Sequence, residues 1–198
     1  MTSFPEADSK DCIELLEQSI PFLDSLSEEM KINYVQPDYF KNIVIPLSAY
    51  ILNLPQKKEP YFIGLSGGQG SGKTTLSDFI QLVLSAVSKK SVTGFSIDDI
   101  YKSPGEREKQ SRKIHPLCKV RGVPGTHDVQ MGLKVLESLC NASEETLTPI
   151  PSFSKPLDRH KPKEDWKVFQ GRPDFIFFDG WCAGARPISE KEWKPPMN

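Results

Sequence analysis

The chain has no apolar run near the ~20 residues that a membrane-spanning helix needs. Its first residues, MTSFPEADSKD, are acidic and lack the apolar core of a signal peptide. No membrane association is expected. Cysteine is sparse: Cys12, Cys118, Cys140 and Cys182 are scattered, with no C-x-x-C pair and no metal-ligand spacing. Reduced thiols in a cytosolic, cytoplasmic protein are the expectation. Net charge is nearly absent as well. A formal −1 over 198 residues gives no general attraction to nucleic acid or anionic lipid. The charge is unevenly spread, since Glu6, Asp8, Asp11, Glu14, Glu17, Asp24, Glu28 and Glu29 face only Lys10 in the first thirty residues. There is no internal repeat. D-x-x-G and N-K-x-D, which a GTPase switch requires, occur nowhere.

What the chain does have is concentrated between Tyr61 and Leu76, YFIGLSGGQGSGKTTL. Tyr61 to Leu65 reads as a buried strand. It breaks into Gly67, Gly68, Gln69, Gly70, Ser71, Gly72, Lys73 and Thr74, which fit G-x-x-x-x-G-K-[ST] at every fixed position. Thr75, Leu76, Phe79, Ile80, Leu82, Val83 and Val87 follow at helical spacing. Glycines let the backbone wrap phosphates with its N–H groups inward, and the positive end of the next helix adds to that field. In this pattern Lys73 reaches the β/γ-phosphates and Thr74 ligates Mg²⁺. A nucleoside triphosphate is the expected ligand.

At 37% hydrophobic content the chain can bury a sizeable core. Residues 1–58 read as a helical N-terminal extension and 59–198 as the nucleotide domain. In the extension, Ile13, Leu16, Ile20 and Leu23 mark one helical face, with Pro21 expected to kink or end it. Tyr39 to Leu52 forms a second helical stretch interrupted by Pro46.

Beyond the P-loop, Ser91 to Ile97 predicts a strand ending in Asp98-Asp99-Ile100-Tyr101. Carboxylates at a strand's C-terminal edge lie where α/β sheets bind ligands, and such an Asp can accept a proton from a substrate hydroxyl. A turn or helix cap would also favour Asp. Residues 102–121 carry Lys102, Arg107, Lys109, Arg112, Lys113, Lys119 and Arg121, read mostly as a solvated face opened by a Pro104-Gly105 turn. RGVPGTHD, from Arg121 to Asp128, precedes an amphipathic helix marked by Val129, Leu133, Leu136 and Leu139. Arg121 suits an anionic substrate group, whereas Asp128 suits either a site or a helix cap. Pro149 to Phe153 reads as a short edge-like strand, followed by a polar, basic loop in which Lys155 is the candidate for phosphate or carboxylate. Phe175 to Phe178 reads as a strand buried on both faces, and Asp179 at its end is a Walker B acid for Mg²⁺. Pro187, Pro195 and Pro196 make the tail loop-like.

GGQGSGKTT, SIDDIY, RGVPGTHD, PSFSK and FFDGWCAGARP, in this order, resemble the D-glycerate 3-kinase-like group of P-loop kinases, relatives of uridine kinase, phosphoribulokinase and bacterial pantothenate kinase. The resemblance implies an α/β P-loop NTPase fold, a parallel β-sheet flanked by helices, and ATP-dependent phosphorylation of a small hydroxyl compound. By position it makes Asp98 the base, Lys73 its catalytic companion, and Asp99, Tyr101, Arg121, His127, Asp128 and Lys155 the acceptor pocket. MgATP and a small hydroxy acid such as D-glycerate are the implied ligands. A uridine- or pantothenate-type kinase, or an ATP-binding protein without kinase activity, are the alternatives. Two departures are Asp179 where the group usually has Glu, and Ser154 where it usually has Asp. Members also continue past Asn198 into a lid and a last strand, so the C-terminal part is expected to be incomplete. Loss of a lid removes charge stabilisation and water exclusion. Low turnover of the 198-residue form is therefore expected in a coupled ATPase/kinase assay, and full turnover without further residues would contradict it.

Overall fold

Phe175, Ile176, Phe177 and Phe178 alternate across a strand whose two faces are both covered. Phe175 and Phe177 join a core with Cys12, Leu15, Phe40, Val44, Ile45, Phe79, Ile80 and Val83. Ile176 points the other way, into a second core with Phe95, Ile100, Val135, Leu139 and Ile150. A continuous apolar run is what such two-sided burial demands. The computed structural model describes residues 3–29, 36–186 and 189. Pro187, Pro195 and Pro196, expected to lie in a loop-like tail, fall outside the described residues.

The strand is β7 (Phe175–Gly180), and it lies between β1 (Tyr61–Ser66) and β2 (Val92–Ser96) in a parallel sheet. Helix α4 (Lys73–Leu82) leaves the loop after β1, packs on β1 and β7, and continues as a π-helical turn over Val83–Val87. Helix α1 (Lys10–Glu29) shares the core under α4 with α2 (Pro37–Tyr39), a π-helical turn Phe40–Val44 and α3 (Ile45–Leu52). The opposite face of the sheet meets α6 (Val129–Cys140). Among the described residues no helix is long and apolar enough to cross a membrane.

Several sequence expectations are corrected. Helix α1 runs through Pro21 instead of ending there, because one missing N–H is outweighed by core packing of Leu15, Leu16 and Leu23. Pro46 does not end the second helical stretch, which stays helical from Pro37 to Leu52 on both sides of the ring. The π-helical turn ahead of it, closed by Ile45 N–H to the Phe40 carbonyl, carries the chain past the ring. Pro104-Gly105 is no loose turn. Ser103 and Glu106 form a reciprocal capping box and Pro104 opens α5 (Pro104–Lys113). In α6 the buried residues are Gly132, Val135 and Leu139, while Val129 and Leu133 are exposed. Of the four strand candidates, residues 149–153 stay out of the parallel sheet. That stretch divides into β3 (Leu147–Ile150), antiparallel to β6 (Lys167–Gln170), and β4 (Phe153–Ser154), antiparallel to β5 (Arg159–His160).

Gly94 in β2 lies so close to β7 that a Cβ there would fall 2.3 Å from the Phe177 carbonyl oxygen and 2.7 Å from the Phe177 Cβ. Both are groups of a buried, hydrogen-bonded strand and have no room to retreat. Gly94→Ala is expected to destabilise the fold by roughly 1–3 kcal/mol or more, as overpacked cores do. Urea unfolding with an unchanged midpoint would contradict that contact.

Candidate active site

The parallel register sets Leu65 and Ser96 on either side of Asp179, so all three strands deliver their C-terminal ends to one edge. Ser66 leads into the glycine loop, Asp179 stays in the sheet, and Ser96 opens the 3-10 turn Ile97–Ile100. The chemistry-bearing residues meet there.

Gly70 and Gly72 sit at φ 74° and 81°, backbone that side chains rarely adopt, and Gly72 precedes the first turn of α4. A Cβ on Gly67 would lie 2.9 Å from Ser71 Oγ and 3.3 Å from Lys73 Cγ, so a larger residue there would have to displace those side chains. The Lys73 ammonium donates to the Gly68 carbonyl at 2.7 Å, which holds it over the loop. The free N–H groups of a ten-residue helix and a lysine fit a triphosphate. A cleft of about 160 Å³ takes in Gly70, Lys73, Thr74, Ser96, Asp98, Lys155, Asp179 and Trp181. Thr74 and Asp179 are the residues on it suited to Mg²⁺. Two oxygen ligands are a normal protein contribution, because Mg²⁺ takes its others from phosphates and water. Among the described residues no cluster of three or more His, Cys, Asp or Glu could hold a metal by itself. Burial pushes the Asp179 carboxyl up, opposed by a hydrogen bond from Ser96 Oγ at 3.3 Å and by the charge of Lys73.

A second cavity, of about 780 Å³, shares Gln69, Asp98 and Lys155 with the first and adds Tyr101, Arg107, Lys119, Arg121 and Asp158. Asp98 thus lines both spaces. Lys155 Nζ lies 2.6 Å from its Oδ2. Burial alone would raise the Asp98 carboxyl, yet the hydrogen bonds from Lys155 and Tyr101, with the Lys155 charge, bring it below the usual range. Burial and the bond to Asp98 push the Tyr101 phenol well up, so it stays a donor.

Arg121 lines the cavity as expected. His127 does not: it is buried against Tyr101, rings stacked at 4.5 Å, and backs the wall rather than facing the space. Burial lowers its pKa, and its Nε2 finds no hydrogen-bond partner among the described residues. Asp99 lines neither cavity. Its two oxygens accept from the N–H groups of Ser96 and Phe153 at 3.0 and 3.2 Å, joining the 3-10 turn to β4. Asp128 caps α6 by accepting from Met131 N–H at 3.0 Å and also lines neither space. Sequence reasoning missed Arg107, Asp158, Ser96 and Trp181. Arg107 was read with a solvated basic face but is 2% exposed; the S-x-x-E cap that starts α5 was the available signal that this stretch folds back.

Fold and site together define an α/β protein with a P-loop. No protein-family model matches the chain. Among curated proteins it is 32% identical to the kinase mug58 of Schizosaccharomyces pombe and 33% identical to the chloroplastic D-glycerate 3-kinase of Arabidopsis thaliana, each over 65% of this chain. It is 32% identical over 66% of this chain to the probable ATP-dependent kinase TDA10 of Saccharomyces cerevisiae. It spans only 48%, 30% and 48% of those proteins' own lengths. The solved YGR205w protein superposes with a TM-score of 0.58 at 26% identity, over 89% of this chain and 56% of the other. A D-glycerate 3-kinase from Cryptococcus neoformans gives 0.59 at 24% identity, over 75% and 53%, a likeness of fold. The curated relatives of this chain are thus kinases, with a D-glycerate 3-kinase and a probable ATP-dependent kinase among them.

Replacing Lys155 by Met leaves burial of Asp98 without its main opposition. The Asp98 carboxyl is expected to titrate at higher pH in Lys155→Met than in the wild type, read by ¹³C NMR of labelled aspartate. An unchanged Asp98 titration would contradict the pairing.

Proposed function

We propose that this chain acts as an ATP-dependent kinase that phosphorylates a hydroxyl of a small acid such as D-glycerate. The observation that carries the reading is the junction of the two cavities at Asp98. One side offers a glycine cradle, Lys73, Thr74 and Asp179. The other offers Tyr101 and Arg121 on a larger space open to solvent. Bound MgATP would supply the transferable phosphoryl group. Lys73 would neutralise charge on it, and Thr74 and Asp179 would hold the metal. Asp98, kept as a carboxylate by Lys155, would orient the acceptor hydroxyl and take its proton. Arg121 and Lys155 would receive the acceptor's own carboxylate, which favours an acid over a neutral nucleoside. The D-glycerate 3-kinase of Arabidopsis thaliana among the relatives supports that acceptor class.

Asp98→Asn is expected to lower kcat by roughly 10²–10⁴-fold, the scale of general acid–base catalysis, with ATP affinity unchanged. The assay uses labelled ATP and offers glycerate, uridine, pantothenate and sugars in turn. Full turnover in Asp98→Asn would remove the base assignment, and phosphorylation of uridine alone would overturn the acid acceptor. ATP binding with no transfer to any acceptor would leave a nucleotide-binding protein.

A further inference from the structure

We infer that Asp158 is a positioning residue, whose single carboxylate fastens the acceptor-binding Arg121 to a buried guanidinium and so fixes the direction from which an anionic acceptor is held. The inference rests on the kinase reading with an acidic acceptor. Asp158 stands at φ 51° in the turn joining β4 to β5, in left-handed backbone that non-glycine residues seldom occupy. From there its two oxygens reach different arginines. Oδ2 pairs with Arg107 Nη2, and Oδ1 pairs with Arg121 Nη1 at 2.9 Å.

The two arginines differ in what they have left to give. Arg107 is buried to 3% side-chain exposure, and its donors are committed in three directions. Nε donates to the Lys102 carbonyl at 3.2 Å and Nη1 to the Lys119 carbonyl at 3.3 Å, besides the pairing with Asp158. It cannot turn toward a substrate and serves as an anchor. Arg121 spends one nitrogen, Nη1, on both Asp158 and the Lys155 carbonyl at 2.7 Å. Its side chain is 31% exposed and lines the larger cavity, which leaves Nε and Nη2 as a two-pronged donor for a carboxylate. One carboxylate between two guanidiniums leaves this trio with a surplus positive charge on the cavity wall. The bond to the Lys155 carbonyl joins this cluster to the lysine that holds Asp98.

Charge and positioning predict opposite signs, so the experiment decides between them. If Asp158 were only a negative charge beside the pocket, removing it would tighten an anionic acceptor and lower its KM. As a positioning residue, its removal frees Arg121 and raises that KM. Steady-state kinetics of the full chain with labelled ATP and D-glycerate would compare wild type, Asp158→Asn and Asp158→Glu. The expected result is a rise in the D-glycerate KM of roughly tenfold or more in Asp158→Asn, the scale of one charge-assisted hydrogen bond. The ATP KM should stay within about twofold, since the phosphate cradle is untouched, and Asp158→Glu should recover most of the loss. Should the single variant fail to fold because the buried Arg107 is left without its carboxylate, Arg107→Met/Asp158→Asn removes both members of the pair, and the same rise is expected. An unchanged or lowered D-glycerate KM in a folded variant overturns the inference alone. Wild type that phosphorylates only uridine, or nothing, takes down the acceptor reading and this inference together.

Discussion

The parallel pairing of β7 between β1 and β2 is the constraint from which the site follows. A strand with apolar side chains on both faces is stable only when covered on both, and α4 with the N-terminal helices covers one side while α6 covers the other. With β7 in place, the register leaves no choice about where the three strands end. Leu65, Asp179 and Ser96 fall in one row, and the segments that follow emerge together. The close approach at Gly94 and Phe177 keeps that register from slipping.

Within the site two carboxylates are driven apart by their surroundings. Asp179 is buried and carries only a long hydrogen bond from Ser96, so burial prevails and its carboxyl rises. Asp98 is also partly buried, yet it has an ammonium at 2.6 Å and a phenol donor, and its carboxyl falls. One cleft thus holds two carboxylates whose surroundings push their protonation in opposite directions. Lys155 reaches Asp98 from the β4–β5 hairpin, an element the parallel sheet does not contain. Its placement depends on ties that cross the molecule, from Asp99 to Phe153 and from Arg121 to the Lys155 carbonyl.

Much of the fold and of the phosphate side was legible in the chain. The G-x-x-x-x-G-K-T run between a strand and a helix, and the apolar run ending in Asp179, are local patterns whose mechanism needs only neighbouring residues. The acceptor side was legible in part. Asp98, Tyr101, Arg121 and Lys155 converge on one cavity, whereas Asp99 and Asp128 spend their carboxylates on backbone N–H groups and His127 backs the wall. Asp is favoured equally at sites, turns and caps, so residue type could not separate these roles. The antiparallel pairing of β3 with β6 was hidden for a related reason. Short polar strands carry little periodicity, and β6 is largely exposed.

By itself the sequence determined the phosphate-binding chemistry, because the glycines, the lysine and the helix start that create it are contiguous, and their conformations are dictated locally. It also determined that a doubly buried strand carries Asp179 near its C-terminal end. Only the tertiary structure decided how the basic residues are held. Arg107, which the sequence grouped with a solvated face, is buried with its donors committed, whereas Arg121 keeps a partly exposed side chain on the cavity. Their common partner, Asp158, lies 51 residues from Arg107 and 37 from Arg121. No local pattern spans such separations; they are closed by the packing of α5 and the β4–β5 turn around one carboxylate.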